Sequence, residues 1–157
     1  MPSDEQQVSG MARWTVRFDR SVGRFAYRIH RHLYQLTGGV VGQHSGMGPM
    51  LLLTTTGRRT GAQRTTPLLY MPEGEDFMVV ASNGGRPEPP AWLLNLEVQP
   101  AATVQVGRRR VAARASVLPS DEHPELWDRM VASYRGWGEY QHLTDRRLKM
   151  VRLEPLG

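Results

Sequence analysis

From residue 50 onward the apolar residues come in short bursts divided by glycine-, proline- or arginine-bearing turns, and this rhythm constrains the fold more than any other feature. Met50–Thr56 and Arg64–Met71 read as strands joined by GRRTG, and PEGED reads as a tight turn. Phe77–Ser82 alternates Phe77, Val79 and Ala81 against Met78, Val80 and Ser82, the pattern of a half-buried strand. NGGRPEPP (83–90) cannot hold regular structure, and Ala91–Val98 reads as a short helix ended by Pro100. Thr103–Gly107 and Val111–Leu118 form a second hairpin across Arg108–Arg110. Ser120 or His123 caps a helix to about Tyr134, with Asp121, Glu122 and Glu125 near its positive end. Gly136 and Gly138 break that helix, a turn follows around Tyr140, and Lys149–Leu153 is the last strand. Five or six antiparallel strands with helices inserted between them predict a mainly-β α+β domain, a small closed barrel rather than a βαβ sheet.

Ahead of this region the texture differs. Residues 1–10 form a polar tail. From Ala12 to Leu36, Trp14, Phe18, Val22, Phe25, Ile29, Leu33 and Leu36 recur at helical steps, and Arg13, Arg17, Arg20, Arg24, Arg28 and Arg31 recur on another side. Such a helix either docks its apolar face on the domain or lies on anionic lipid. TGGVVGQHSGMGP (37–49) reads as a flexible linker or a loop over the domain. The chain thus divides into residues 1–44 and a barrel domain, 45–157.

Composition narrows the chemistry. Cysteine is absent, which excludes a disulfide framework, a thiol nucleophile and a thiolate metal site, and fits a cytoplasmic protein. The start, MPSDEQQVSGMAR, has no apolar h-region, and no run approaches the ~18 apolar residues of a membrane span. Of the 20 lysines and arginines, Lys149 alone is lysine. Arginine's planar fork suits phosphate and carboxylate, so the basic balance points to an anionic partner. No helix-turn-helix, zinc finger or RNP-like pattern accompanies it, and nucleic acid is not expected. His30, His32, His44, His123 and His142 are scattered without carboxylates at ligand spacing, so no metal is expected. GRRTG lacks the Lys-Ser/Thr of a Walker loop, and no G-x-S-x-G elbow marks a nucleophile.

A chain without a reactive group of its own points to a borrowed one. Three segments can build its site. Arg58, Arg59 and Thr60 offer two guanidinium forks, a hydroxyl and turn amides for an anion. Ser82-Asn83-Gly84-Gly85 ends a strand in a bend whose backbone can approach a ring or phosphate. Trp92 and Asn95 lie three apart on one helix face, an aromatic wall beside an amide. Each also has a plainer reading: a solvated turn, a loop, and a core tryptophan with a capping asparagine.

LLTTTGRRTGAQRTTPL, VVASNGGRPEPPAWLLNL and SYRGWGEYQHLTDR together resemble the deazaflavin-dependent nitroreductase and quinone reductase family, over about residues 45–153. Its members use the 5-deazaflavin coenzyme F420 in a split β-barrel related to flavin-binding reductases. The resemblance implies cofactor contacts at Thr56, Gly57, Arg58, Arg59, Thr60, Arg64 and Pro67, with the arginines on its phosphate and anionic tail. It implies Val80, Ala81, Ser82 and Asn83 lining the deazaflavin, with Ala91, Trp92 and Asn95 along the ring system. Tyr134, Trp137 and Tyr140 would close the substrate side, Trp137 reaching the cofactor as well and Leu69 lining the substrate pocket. Tyr140, with Tyr134, is the implied catalytic hydroxyl.

The chain departs from the family at three places: Asn83 replaces a lysine, removing one cationic contact, and Leu69 and Trp137 replace tyrosines. The implied reaction is hydride transfer from reduced F420 to a quinone, activated enone or nitroaromatic, by a protein in the cytoplasm or at the inner face of the membrane. The alternatives are an FMN- or haem-binding relative of the same barrel, or a non-enzymatic module binding anions or membrane.

Overall fold

The computed structural model describes residues 48–157. The polar tail, the helix expected over 12–36 and nearly all of the glycine-rich linker lie outside the described residues. Seven strands are present: β1 (Met50–Thr56), β2 (Gln63–Leu69), β3 (Met71–Glu73), β4 (Asp76–Val80), β5 (Ala101–Val106), β6 (Arg109–Pro119) and β7 (Lys149–Pro155). Three helices accompany them: α1 (Ala91–Val98), α2 (Pro124–Ser133) and α3 (Gly136–His142).

The strands form one antiparallel sheet in the order β2-β1-β5-β6-β7-β4-β3. Its two end strands are halves of one run of chain, interrupted only at Tyr70, whose N–H donates to the Pro49 carbonyl at 3.1 Å. The first half pairs with β1 and the second with β4, so a single bent strand links both ends of the curled sheet. The run expected as one strand over Arg64–Met71 is therefore two, which raises the expected five or six to seven. Pro67 and Pro72 fall on these strands, where a missing N–H is tolerated because each strand has one partner.

Hairpin turns are tighter than expected. Gly107 (φ +58°) and Arg108 connect β5 to β6, and Arg109 already pairs with Val106, so Arg109 and Arg110 are strand residues. Gly74 (φ +62°) and Glu75 connect β3 to β4.

Two cores lie on opposite faces of the sheet. The interior core contains Leu51, Leu53, Phe77, Val79, Ala81, Val104, Ala113, Ala115, Val151 and Leu153, plugged by Trp92, Leu93 and Leu96 of α1. The outer core joins Met78, Val80, Leu148 and Met150 to Leu126 and Met130 of α2 and Trp137 of α3. β4 is consequently buried on both faces, where its alternation suggested one. The alternation itself is correct: odd residues enter the barrel and even ones meet the helices.

α2 begins with Pro124 after His123, and neither His123 nor Ser120 makes a side-chain cap; the proline's fixed φ starts the helix. The residues read as a break, Gly136 and Gly138, instead lie in α3. Gly136 is required there, because a Cβ at that position would collide with the Tyr134 ring. Packing of Trp137 into the outer core outweighs the poor helix propensity of the two glycines.

Candidate active site

Two polar constructions precede α1 in sequence. The first is the turn after β1. Gly57 N–H donates to the Ala62 carbonyl (2.8 Å) and Gly61 N–H to the Gly57 carbonyl (2.7 Å), while the Thr60 hydroxyl accepts from Ala62 N–H (3.3 Å). Asn95 fixes the turn from below: its Oδ1 accepts the Arg58 N–H and its Nδ2 donates to the Thr55 hydroxyl, each at 3.1 Å. Asn95 is 4% exposed and Thr55 1%, so this amide is buried and both its ends are committed. Arg58, Arg59 and Thr60 project into solvent, as does Arg64. Among the described residues no carboxylate pairs with these arginines, whereas Arg129 and Lys149 are bonded to Glu73 (2.9 Å) and Glu97 (2.7 Å).

The second construction is the bend after β4. Ser82 is right-handed, and Asn83 (φ +48°), Gly84 (+63°) and Gly85 (+74°) follow in the left-handed region. Asparagine tolerates that region better than lysine. The Asn83 amide also donates to the Glu88 carbonyl at 2.8 Å, so an asparagine here has a local structural use. Gly85 lies against α3: a Cβ there would stand 2.7 Å from Leu143 Cβ and 3.0 Å from the Tyr140 carbonyl.

Sequence reading missed Arg146, which holds this bend. Its Nη1 donates to the Ala81 carbonyl (3.0 Å), and its Nη2 to those of Ser82 (3.0 Å) and Arg86 (3.2 Å). Burial pulls its guanidinium below the ordinary arginine value, and Glu88 pulls it back up. Gln141 of α3 secures the loop carrying Arg146, donating to the Thr144 and Arg146 carbonyls and accepting from Leu148 N–H. No spacing rule marks an arginine that bonds backbone 60 or more residues away.

Beside the bend stand the aromatics. Tyr134, between α2 and α3, meets Trp137 edge-to-face at 5.4 Å and is hydrogen-bonded to Tyr140. That bond first, then burial and the neighbouring Tyr140 and Glu139, raise the Tyr134 phenol above the ordinary tyrosine value. Tyr134, Tyr140 and Leu69 all pack against the outer core.

Other predicted residues are placed less openly. Trp92 (6% exposed) belongs to the interior core and Trp137 (4%) to the outer one. Val80 and Ala81 bury their side chains, and their backbone is held by the last strand: Val80 pairs with Met150 and the Ala81 N–H donates to the Lys149 carbonyl at 2.9 Å. Thr56 is half-buried at the end of β1, Gly57 opens the turn, and Ala91 is exposed at the start of α1. Arg64 lies opposite Thr55 and Pro67 opposite Leu52, so the two side chains leave opposite faces of β2.

Comparison with known proteins agrees with this construction. The profile of the F420H(2)-dependent quinone reductase family matches residues 26–155. The chain is 35% identical over 145 residues to an F420H(2)-dependent quinone reductase of Mycobacterium tuberculosis, covering 90% of this chain and 95% of that protein. A solved F420-H2 dependent reductase is similar at 34% identity and TM-score 0.61, over 68% of this chain and 94% of its own. A second structure, described as a domain-swapped dimer, is 32% identical with TM-score 0.63, over 85% of this chain and 99% of its own. The heme storage protein HutZ of Vibrio cholerae shares the fold alone, at 17% identity and TM-score 0.52 over 69% of this chain and 82% of that one. A split-barrel fold, an arginine turn clamped by a buried amide and a match over most of the chain lead to one assignment: this protein belongs to the F420H(2)-dependent quinone reductase family.

Proposed function

We propose that this chain reduces quinones with a hydride drawn from reduced coenzyme F420. The observation that carries the site assignment is the Asn95 clamp. A wet hairpin tip has no need of a buried amide, whereas an anion cradle must keep its turn fixed before the ligand arrives. The donor set fits the cofactor: Arg58, Arg59 and Arg64 suit its phosphate and polyanionic tail, and the backbone of 80–83 suits its flat ring. When bound, reduced F420 supplies a hydride from C5 of its deazaflavin.

The chain's own residues do the rest. The bend and the start of α1 orient the ring, and the rim of Leu69, Tyr134 and Tyr140 seats the acceptor and excludes water. The Tyr140 hydroxyl donates to the acceptor oxygen as charge develops there. Tyr134 holds Tyr140 in place through the bond between the two phenols. Leu69 makes the pocket apolar, so flat quinones and cyclic enones are better acceptors than small polar nitro compounds.

Among the described residues no helix is long and apolar enough to cross a membrane. The cationic stretch 12–36 is read as docking on the domain with some contact to anionic lipid. Removing residues 1–36 is expected to abolish sedimentation with anionic vesicles and leave F420 affinity within about twofold.

The direct test is a parallel fluorescence titration with oxidised F420, FMN and NADP, followed by stopped-flow oxidation of the reduced complex by a quinone. F420 should win, and salt should weaken it. Preference for FMN would replace this reading with that of a flavin-binding relative of the same barrel.

A further inference from the structure

We propose that Arg146 is a positioning residue for the reaction: it aims two backbone N–H groups at the deazaflavin ring and locks their bend to the helix that carries Tyr140. The assignment rests on the reading above that residues 80–83 line the ring.

The argument begins with peptide geometry. The described chain contains no cis peptide, and in a trans peptide the C=O and N–H point in opposite directions. Arg146 donates to the Ala81 and Ser82 carbonyls, so the N–H groups of those same two peptides, on Ser82 and Asn83, are directed away from it. Among the described residues neither N–H has an acceptor. The switch from right-handed Ser82 to left-handed Asn83 is the backbone arrangement that makes adjacent N–H groups converge on one electronegative atom. A guanidinium on the carbonyl side polarises both peptides and strengthens both donors.

Its third bond, to the Arg86 carbonyl, closes the bend on itself. The Arg146 Nε is buried without a partner, a cost the fold bears at a place where backbone shape matters. Through Gln141 the same loop is fixed to α3, one residue from Tyr140. The ring side and the acceptor side of the site are therefore one mechanical unit.

The test compares Arg146→Ala, Arg146→Lys and the exposed neighbour Arg147→Ala by F420 titration and by amide hydrogen exchange of the free protein. Arg146→Ala should bind F420 about 10- to 100-fold more weakly, the scale of losing about two well-placed hydrogen bonds, with faster exchange confined to residues 81–86 and the 143–148 loop. Low, non-denaturing guanidinium should restore much of the affinity to Arg146→Ala and nothing to Arg147→Ala. If the alanine variant does not fold, Arg146→Lys carries the test, since one ammonium cannot serve three carbonyls. Affinity within twofold of wild type, or unchanged exchange at 81–86, overturns the assignment. Wild-type protein that fails to bind F420 overturns the cofactor reading instead, and exchange in the free variants still decides whether Arg146 shapes the bend.

Discussion

The turn at 57–61 and the bend at 81–86 use arginine in opposite ways. In the turn the backbone is held by a neutral amide, Asn95, and the guanidiniums of Arg58 and Arg59 are left in solvent. In the bend the guanidinium of Arg146 does the holding, and the backbone N–H groups are left over. One loop presents charge on a neutral scaffold; the other presents neutral donors on a charged scaffold. The difference suits a ligand with a polyanionic end and a flat heterocyclic end. On the proposed reading, exposure and bond count, more than residue type, separate the arginines that would meet the ligand from the one that holds backbone.

The largest expected effect falls on the turn. Arg58→Ala with Arg59→Ala should weaken F420 by about 2–4 kcal/mol, roughly 30- to 1,000-fold, at one to two kilocalories for each charge-assisted contact. Thermal stability should hardly move, because neither side chain has a partner among the described residues. A normal titration curve for the double variant would make both loops scaffolds and end the comparison.

Tyr140→Phe comes next. Removing one positioned donor should lower the hydride-transfer rate about 10²-fold with little change in KM. Stopped-flow oxidation of the reduced complex reads that step without product release. Wild-type rates with every acceptor would leave Tyr140 as packing on the outer core.

Asn95→Ala should cost less in binding, about tenfold, because the arginines remain while their turn loosens. It should cost more in stability, about 1–3 kcal/mol, since the Thr55 hydroxyl and Arg58 N–H lose a buried partner. Denaturation and titration together check the split. Binding loss without stability loss would mean that Asn95 meets the ligand directly, as the family resemblance implies.

Much of this was legible in the sequence, for identifiable reasons. β1 and α1 begin and end where periodicity and turn residues place them, because both are governed by neighbours in sequence. The second face of β4 was not legible: Met78 and Val80 are covered by helices that begin over 40 residues later. The same holds for Asn95, whose partners lie 37 and 40 residues away, and for Arg146. The segments that resemble the family point to a candidate site only as a region. They cannot say which residues face a ligand and which support those that do, because that depends on bonds between segments.

The smallest effect tests the phenol pair beside the bend. Folding raises the Tyr134 phenol above its ordinary value of 10.0, chiefly through the Tyr140 bond, with burial second. A raised value means the folded state holds its proton more tightly than the unfolded chain does. The stabilisation is then complete below the ordinary tyrosine range and lost as pH rises through the raised folded value. Wild type should exceed Tyr134→Phe in stability by a constant margin at pH 7–9, and the margin should shrink above pH ~10. Arg146 does not account for that loss, because a guanidinium stays charged in proteins and is present in both variants. Urea denaturation at closely spaced pH values measures the margin. Parallel curves up to pH ~11 would mean that the two phenols are not coupled, and that Tyr140 is oriented by its own helix rather than by Tyr134.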